Sequence, residues 1–85
     1  MTNNTIVVNN TETKVLQEVQ GRTVYLENRI SNTTYVGVAN RDMPLSTMKW
    51  LAPGQWFSIS CEFSERLYFK APTSVPQAIE WWYED

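Results

Sequence analysis

An all-β fold, a small antiparallel β-sandwich or barrel of about six to seven strands, is the class this chain predicts, and three observations predict it. Gln55 to Phe63 (QWFSISCEF) alternates strictly, with Phe57, Ile59, Cys61 and Phe63 on one side and Trp56, Ser58, Ser60 and Glu62 on the other. Short runs rich in β-branched and aromatic residues recur about every 8 to 12 residues with turn signals between them. No segment carries a convincing helical stripe.

Met1 to Asn4 is small and polar and reads as a loose tail or an arm that orders on a neighbour. Thr5 to Val8 (TIVV) is a β-branched strand bounded by Asn9-Asn10, which makes residues 1–12 an N-terminal arm or edge strand and 13–85 a single β domain. Thr13 to Gln20 fits two periods. A helix groups Val15 and Val19 with Leu16, and a strand groups them with Gln17; the Thr and Val content and the Gly21 break favour the strand. Arg22 to Asn28 is a strand with Val24, Leu26 and Asn28 on one face, and Asn28 to Asn32 is turn material because Asn tolerates left-handed dihedrals and bonds its own backbone. Thr33 to Ala39 resumes a strand with Val36 and Val38 inward, where Gly37 marks a close approach or a bulge on the opposite face.

Asn40 to Met48 contains Pro44 and no period, and is the longest irregular connection. Lys49 to Gly54 leads into a Leu-Ala-Pro-Gly turn of type II, Pro53 fixing one central φ and Gly54 supplying a positive one. Gln55 to Phe63 and Arg66 to Ala71 follow as two strands joined at Ser64-Glu65 in a hairpin, the second with Leu67, Phe69 and Ala71 inward. After the Pro72 to Pro76 linker, Ala78 to Glu84 is the last strand, Ile79, Trp81 and Tyr83 opposite Glu80, Trp82 and Glu84.

At 85 residues a chain buries only about 60 to 65% of the surface its unfolded form exposes, so the core is thin. Charged residues are 19%, below the roughly 25% of an ordinary soluble domain, and Thr, Asn, Ser and Gln fill the deficit. Uncharged polar groups cost less to desolvate than ions, so such surface suits subunit contacts as well as plain β faces. The seven basic side chains are scattered singly and the net charge is -2, which argues against nucleic acid as a partner. The single Cys61 falls on the apolar face of its strand and reads as a core residue in a reducing compartment. The N-terminus lacks the pattern of a signal peptide and no run approaches a membrane span, so cytosolic synthesis and no membrane partner are expected. The sequons at Asn3, Asn9 and Asn32 would then go unused.

Histidine is absent, which removes the commonest general base and metal ligand together. The carboxylate pairs Glu62 with Glu65 and Glu80 with Glu84 read as solvated charges, and no glycine-rich loop precedes a helix, so no enzyme activity and no cofactor is expected. The aromatic residues are the remaining candidates. Trp56, Tyr68 and Trp82, with Tyr25 and Tyr35, can make a flat platform for a protein interface or for sugar rings, or they can complete a thin core on its second side.

The order Arg22 to Asn28 (RTVYLEN), Tyr35-Val36-Gly37-Val38, Leu51-Ala52-Pro53-Gly54, the alternating Gln55 to Phe63, then Leu67-Tyr68-Phe69-Lys70-Ala71 resembles a pattern carried by small tailed-bacteriophage virion proteins, the head-fibre and capsid decoration or cement proteins. The C-terminal Trp-Trp-Tyr and the polar N-terminal arm have no counterpart in that pattern. The resemblance implies a structural protein made in the host bacterial cytoplasm and placed on the capsid surface of the virion. Its partners would be the major capsid protein or other virion proteins, and it would act as a homo-oligomer, a trimer by preference. On that footing the expected contact residues are Trp56, Tyr68, Trp81 and Trp82, with Thr5, Ile6 and Val7 of the Thr2 to Val8 arm. A tail or head-to-tail junction component is the neighbouring alternative, and a carbohydrate-binding module using exposed aromatics is the alternative of another class.

Overall fold

The computed structural model describes residues 4–83. Eight strands carry them: β1 Asn4–Val8, β2 Lys14–Leu16, β3 Thr23–Asn28, β4 Val36–Ala39, β5 Lys49–Leu51, β6 Trp56–Ser60, β7 Leu67–Lys70 and β8 Gln77–Tyr83. Among the described residues the helical content is a single 3₁₀ turn at Leu45–Thr47. The strands form two antiparallel sheets, a front sheet in the order β1-β8-β3-β6 and a back sheet in the order β2-β7-β4-β5.

That order has a simple origin. β1 pairs with β8, β2 with β7, β3 with β6 and β4 with β5, all antiparallel, so each pair is nested inside the one before it. The chain is one long hairpin whose far end is the 40–48 segment. Rolled up, it brings β3 against β8 and β4 against β7 and gives a double-sheet jelly roll. Pairing continues through the bends between sheets: Asn10 N–H donates to Thr73 O at 2.9 Å, Gly21 N–H to Glu62 O at 3.3 Å and Gly54 N–H to Asn28 O at 2.7 Å.

The all-β antiparallel sandwich expected from the alternation is what forms, and the nesting accounts for each departure. β5 is an eighth strand, too short at three residues to show a period. β6 and β7 do not form a hairpin: the chain passes from the front sheet to the back sheet between them, β6 pairing with β3 and β7 with β2 and β4. β6 ends at Ser60, and after the buried Cys61 the bend carries Phe63 outside, where it is 85% exposed. In 13–20 only Lys14–Leu16 is strand. Gln20 N–H then donates to Gln17 O at 3.2 Å in a turn, so Leu16 and Val19 are buried and Val15 is exposed. β1 is an integral edge strand with Val8 fully buried; the Met1 to Asn3 part of the expected arm lies outside the described residues.

Between the sheets Val8, Val24, Leu26 and Ile79 from the front meet Val36, Val38, Leu67 and Phe69 from the back, all essentially inaccessible. Two polar side chains are buried as deeply, Asn28 and Gln77. Asn28 Nδ2 donates to Leu51 O at 2.6 Å and to Thr34 O at 3.2 Å, and its Oδ1 accepts from Asn32 Nδ2. Gln77 Oε1 accepts from the Thr33 and Thr34 amides at 2.9 and 3.1 Å, while its Nε2 donates to Thr33 Oγ1 and to Val75 O. Asn32 bonds both backbone groups of Ala78, accepting from N–H at 2.9 Å and donating to O at 2.7 Å. The turn at 28–34 therefore uses asparagine amides rather than left-handed dihedrals; among the described residues positive φ occurs only at Gly21 and Gly54. Gly54, with φ of 87°, closes the type II turn as the sequence predicts, Gln55 N–H donating to Ala52 O at 2.9 Å.

Asn28→Ala strands the buried Leu51 carbonyl and removes a donor from the partly buried Thr34 carbonyl. It is expected to cost about 2 to 3 kcal/mol and, at this chain length, to lower the melting temperature by roughly 10 to 20 °C. The exposed Ser74→Ala should stay within about 0.5 kcal/mol of wild type. Thermal unfolding followed by circular dichroism checks both.

Candidate interaction surface

Alternation along paired strands decides which side chains share a face. Registers Thr5↔Glu80, Val7↔Ala78, Tyr25↔Trp82, Glu27↔Glu80, Tyr25↔Ser58 and Glu27↔Trp56 gather these residues on the outer surface of the front sheet. Tyr25 and Trp82 stack there with ring centroids 5.8 Å apart, and Trp56 stands 63% exposed one strand away. Thr23 and Ser60 share a hydroxyl contact of 3.2 Å beside them.

The outer surface of the back sheet is built differently, because the 40–48 segment folds over it. A Cβ at Gly37 would lie 2.5 Å from Leu45 Cδ1 and 3.1 Å from Met48 Cβ, so the segment can seat only where β4 lacks a side chain. Met48 is buried, Trp50 Nε1 donates to Leu45 O at 2.9 Å, and Trp50 stacks on Tyr35 at 4.5 Å. Lys70 Nζ ties the same segment down, donating to Met43 O at 2.7 Å and pairing with Asp42 at 3.1 Å.

The expected platform therefore divides. Trp56, Trp82, Thr5 and Val7 share the front surface with Tyr25, whereas Tyr68, register partner of Val15 and Ala39, lies on the back with Tyr35. Trp81 is a correction: it is 7% exposed, belongs to the core and presents no surface for contact, because its strand parity is that of Ile79. Ile6 likewise faces inward and packs against the core. Trp50 is the aromatic residue that sequence reasoning missed. Its signal was Gly37, which the register places directly opposite it.

Electrostatically the front surface is mixed. Glu27 and Glu80 are direct cross-strand neighbours, an unfavourable juxtaposition, and Arg29 pairs with Glu80 to relieve it. Glu65 serves the turn it sits in, its carboxylate accepting from Glu62 N–H at 2.9 Å and from Asn40 Nδ2 at 2.8 Å. Glu84 lies outside the described residues. Lys14, 2.9 Å from the Glu12 carboxylate, holds that carboxyl below its usual range through a hydrogen bond and its charge. Burial, aided by Glu65, pushes the Cys61 thiol up, the reverse of what an activated nucleophile needs. Among the described residues no three His, Cys, Asp or Glu side chains gather to hold a metal. The concave features are open depressions; one of about 400 Å³ runs between β5 and β6 past Lys49, Trp50, Gln55, Trp56 and Phe57. Comparison with protein-family models, curated proteins and solved structures finds no significant match.

The two adjacent tryptophans should separate cleanly in urea unfolding. Trp81→Ala is expected to cost about 3 to 5 kcal/mol, and Trp82→Ala, which loses a surface stack, about 1 kcal/mol. In thiol titration at pH 8, Cys61 should stay unmodified in the native protein and react fully in denaturant; rapid native labelling would contradict the burial seen here.

Proposed function

We propose that this chain is a non-enzymatic structural protein of a bacteriophage virion, decorating or cementing the capsid through the outer surface of its front sheet. One observation carries the docking surface: the chain's own 40–48 segment covers the back sheet at β4, while the front sheet holds Tyr25, Trp82 and Trp56 together on a face that no segment among the described residues covers. Rigid aromatic side chains supply large contact area at low entropic cost, and the serines and threonines beside them desolvate more cheaply than the Glu27, Glu80 and Arg29 charges that share the face. The virion as the larger body comes from the resemblance in Arg22 to Ala71. Jelly rolls recur in viral capsid and lectin domains, an analogy of architecture alone.

Mechanistically such a protein needs no chemistry. Each copy that binds the assembled shell and not its separated parts stabilises the shell by mass action, and a copy bridging two neighbouring subunits gains the effective concentration of the second site.

Purified protein added to capsids of its own phage that lack it should bind in hundreds of copies and raise their disruption temperature; failure to bind would end the reading. A dozen copies or fewer would move it to the tail or the head-to-tail junction. Trp56→Ala and Trp82→Ala should each weaken binding by roughly tenfold to a hundredfold while leaving the monomer folded. Glycan binding is the second reading, favoured by the groove between Trp50 and Trp56, which are 52% and 63% exposed. Glycan-array binding abolished by Trp56→Ala, without capsid binding, would select it.

A further inference from the structure

The four sheet edges of this molecule are not alike. In the back sheet both edge strands are three residues long and each carries a lysine, Lys14 in β2 and Lys49 in β5. Each is in phase with a buried leucine, Leu16 or Leu51, so the charge sits on the side that faces the sandwich, and Lys49 Nζ lies 5.1 Å from the centre of the Phe57 ring. Short edges with inward-pointing charge discourage strand addition. The front edges, β1 (NTIVV) and β6 (WFSIS), are five residues each and contain no charge and no proline.

The hydrogen-bond phase of β6 follows from its flanks. Cys61 N–H donates to Arg22 O at 2.9 Å and Asn28 N–H to Gln55 O at 3.0 Å. Gln55, Phe57, Ile59 and Cys61 therefore turn their backbone groups toward β3, and Trp56, Ser58 and Ser60 turn theirs out of the sheet. We infer that β6 pairs antiparallel with β6 of a second copy across a two-fold axis through Ser58, joining the two front sheets into one sheet of eight strands.

The strand is self-complementary about that residue. Trp56 meets Ser60 of the second copy and Ser58 meets its own equivalent, each pair exchanging both backbone hydrogen bonds. On the inner face Phe57 comes opposite Ile59 of the other copy, and both are only partly buried against their own core. On the outer face the Trp56 ring extends over Ser60 and Thr23, small side chains that leave it room. The strand pair itself contains no charge, although each chain carries a net charge of -2; the charged groups beside it are the Lys49 side chains of β5, one next to Phe57 in each copy. An isologous contact of this kind closes at two copies, in place of the trimer implied by the resemblance. It also stands apart from the virion assignment, since it concerns the protein alone.

Sedimentation equilibrium or light scattering on the purified chain tests it, with three variants. Wild type should be a dimer. Ser58→Lys, at an exposed position whose own N–H is not used within the sheet, puts two ammonium groups on the axis and should raise the dimer dissociation constant roughly 100-fold or more. Thr5→Lys on the β1 edge should leave it unchanged. Ser58→Cys should form a covalent dimer on mild oxidation, because residues on the axis of such a pair have Cα atoms about 5.5 Å apart, within disulfide reach, and this result stands even where the lysine variant fails to fold. Wild type that remains monomeric at about 1 mM, or a dimer lost in Thr5→Lys and kept in Ser58→Lys, overturns the inference. Capsid binding by wild type is read separately, so a monomer that still binds capsids overturns only the two-fold contact.

Discussion

Every strand pairing in this protein descends from a single constraint, that of one antiparallel hairpin running from Asn4 opposite Trp81 to Val38 opposite Lys49 and then rolled into two sheets. Because both halves of the hairpin turn each corner together, a corner must fit two backbones side by side. At two corners a glycine at positive φ allows it: a Cβ on Gly21 would come 2.6 Å from the Phe63 ring, and one on Gly54 would come 2.8 Å from Ile30 Cδ1. The exposed Phe63 and Ile30 are thus lids over glycines. Between β3 and β4 the corner holds its shape through Asn28 and Asn32, which bond each other and the surrounding backbone, and through Gln77, which bonds Thr33 and Thr34, so that no buried side-chain nitrogen or oxygen among the described residues lacks a partner. In a core this thin, such a network locks the corner onto β8 more specifically than apolar packing would.

The far end of the hairpin then makes the two faces unequal. Segment 40–48 has nowhere to go except over the sheet it joins, and Gly37 gives it a seat. The back sheet is consequently buried on both sides at β4, whose four residues are all inaccessible, while the front sheet keeps one wet face. The aromatic residues inherit that asymmetry through parity alone. Tyr25 and Trp82 are opposite one another in register and stack in the open; Tyr35 and Trp50 stack as part of the cover.

Parity was also what the sequence conveyed best. Val24, Leu26 and Asn28, Val36 and Val38, Leu67, Phe69 and Ala71, and Ile79 with Trp81 all face as their alternation predicts, since a period of two survives any arrangement of sheets. The type II turn at Pro53-Gly54 was legible for the same local reason. What alternation cannot carry is the partner of each strand: Ser64-Glu65 looks like a hairpin turn, and only the competition of β3 for β6 and of β2 and β4 for β7 makes it a crossing. The same blindness merged Trp56, Tyr68 and Trp82 into one platform, because a face within a strand is fixed by its own residues whereas a face of the molecule depends on which sheet the strand joins. The Gly37 anomaly was the one local sign of the cover that separates them.

The allocation of tryptophan bears on what the fold is for. A domain of this size has little apolar surface to spare for anything except its core, yet of four tryptophans only Trp81 is placed there. Trp50 holds the cover, Trp82 lies on Tyr25, and Trp56 projects from an uncharged edge strand with no ring among the described residues stacked on it. Folding of the single chain accounts for the first three. Trp56 adds nothing to that core and leaves an indole in water beside backbone groups of β6 that no strand among the described residues satisfies, an arrangement that becomes favourable once another surface covers both. The absence of charge in WFSIS keeps the desolvation of that edge inexpensive, whichever surface arrives.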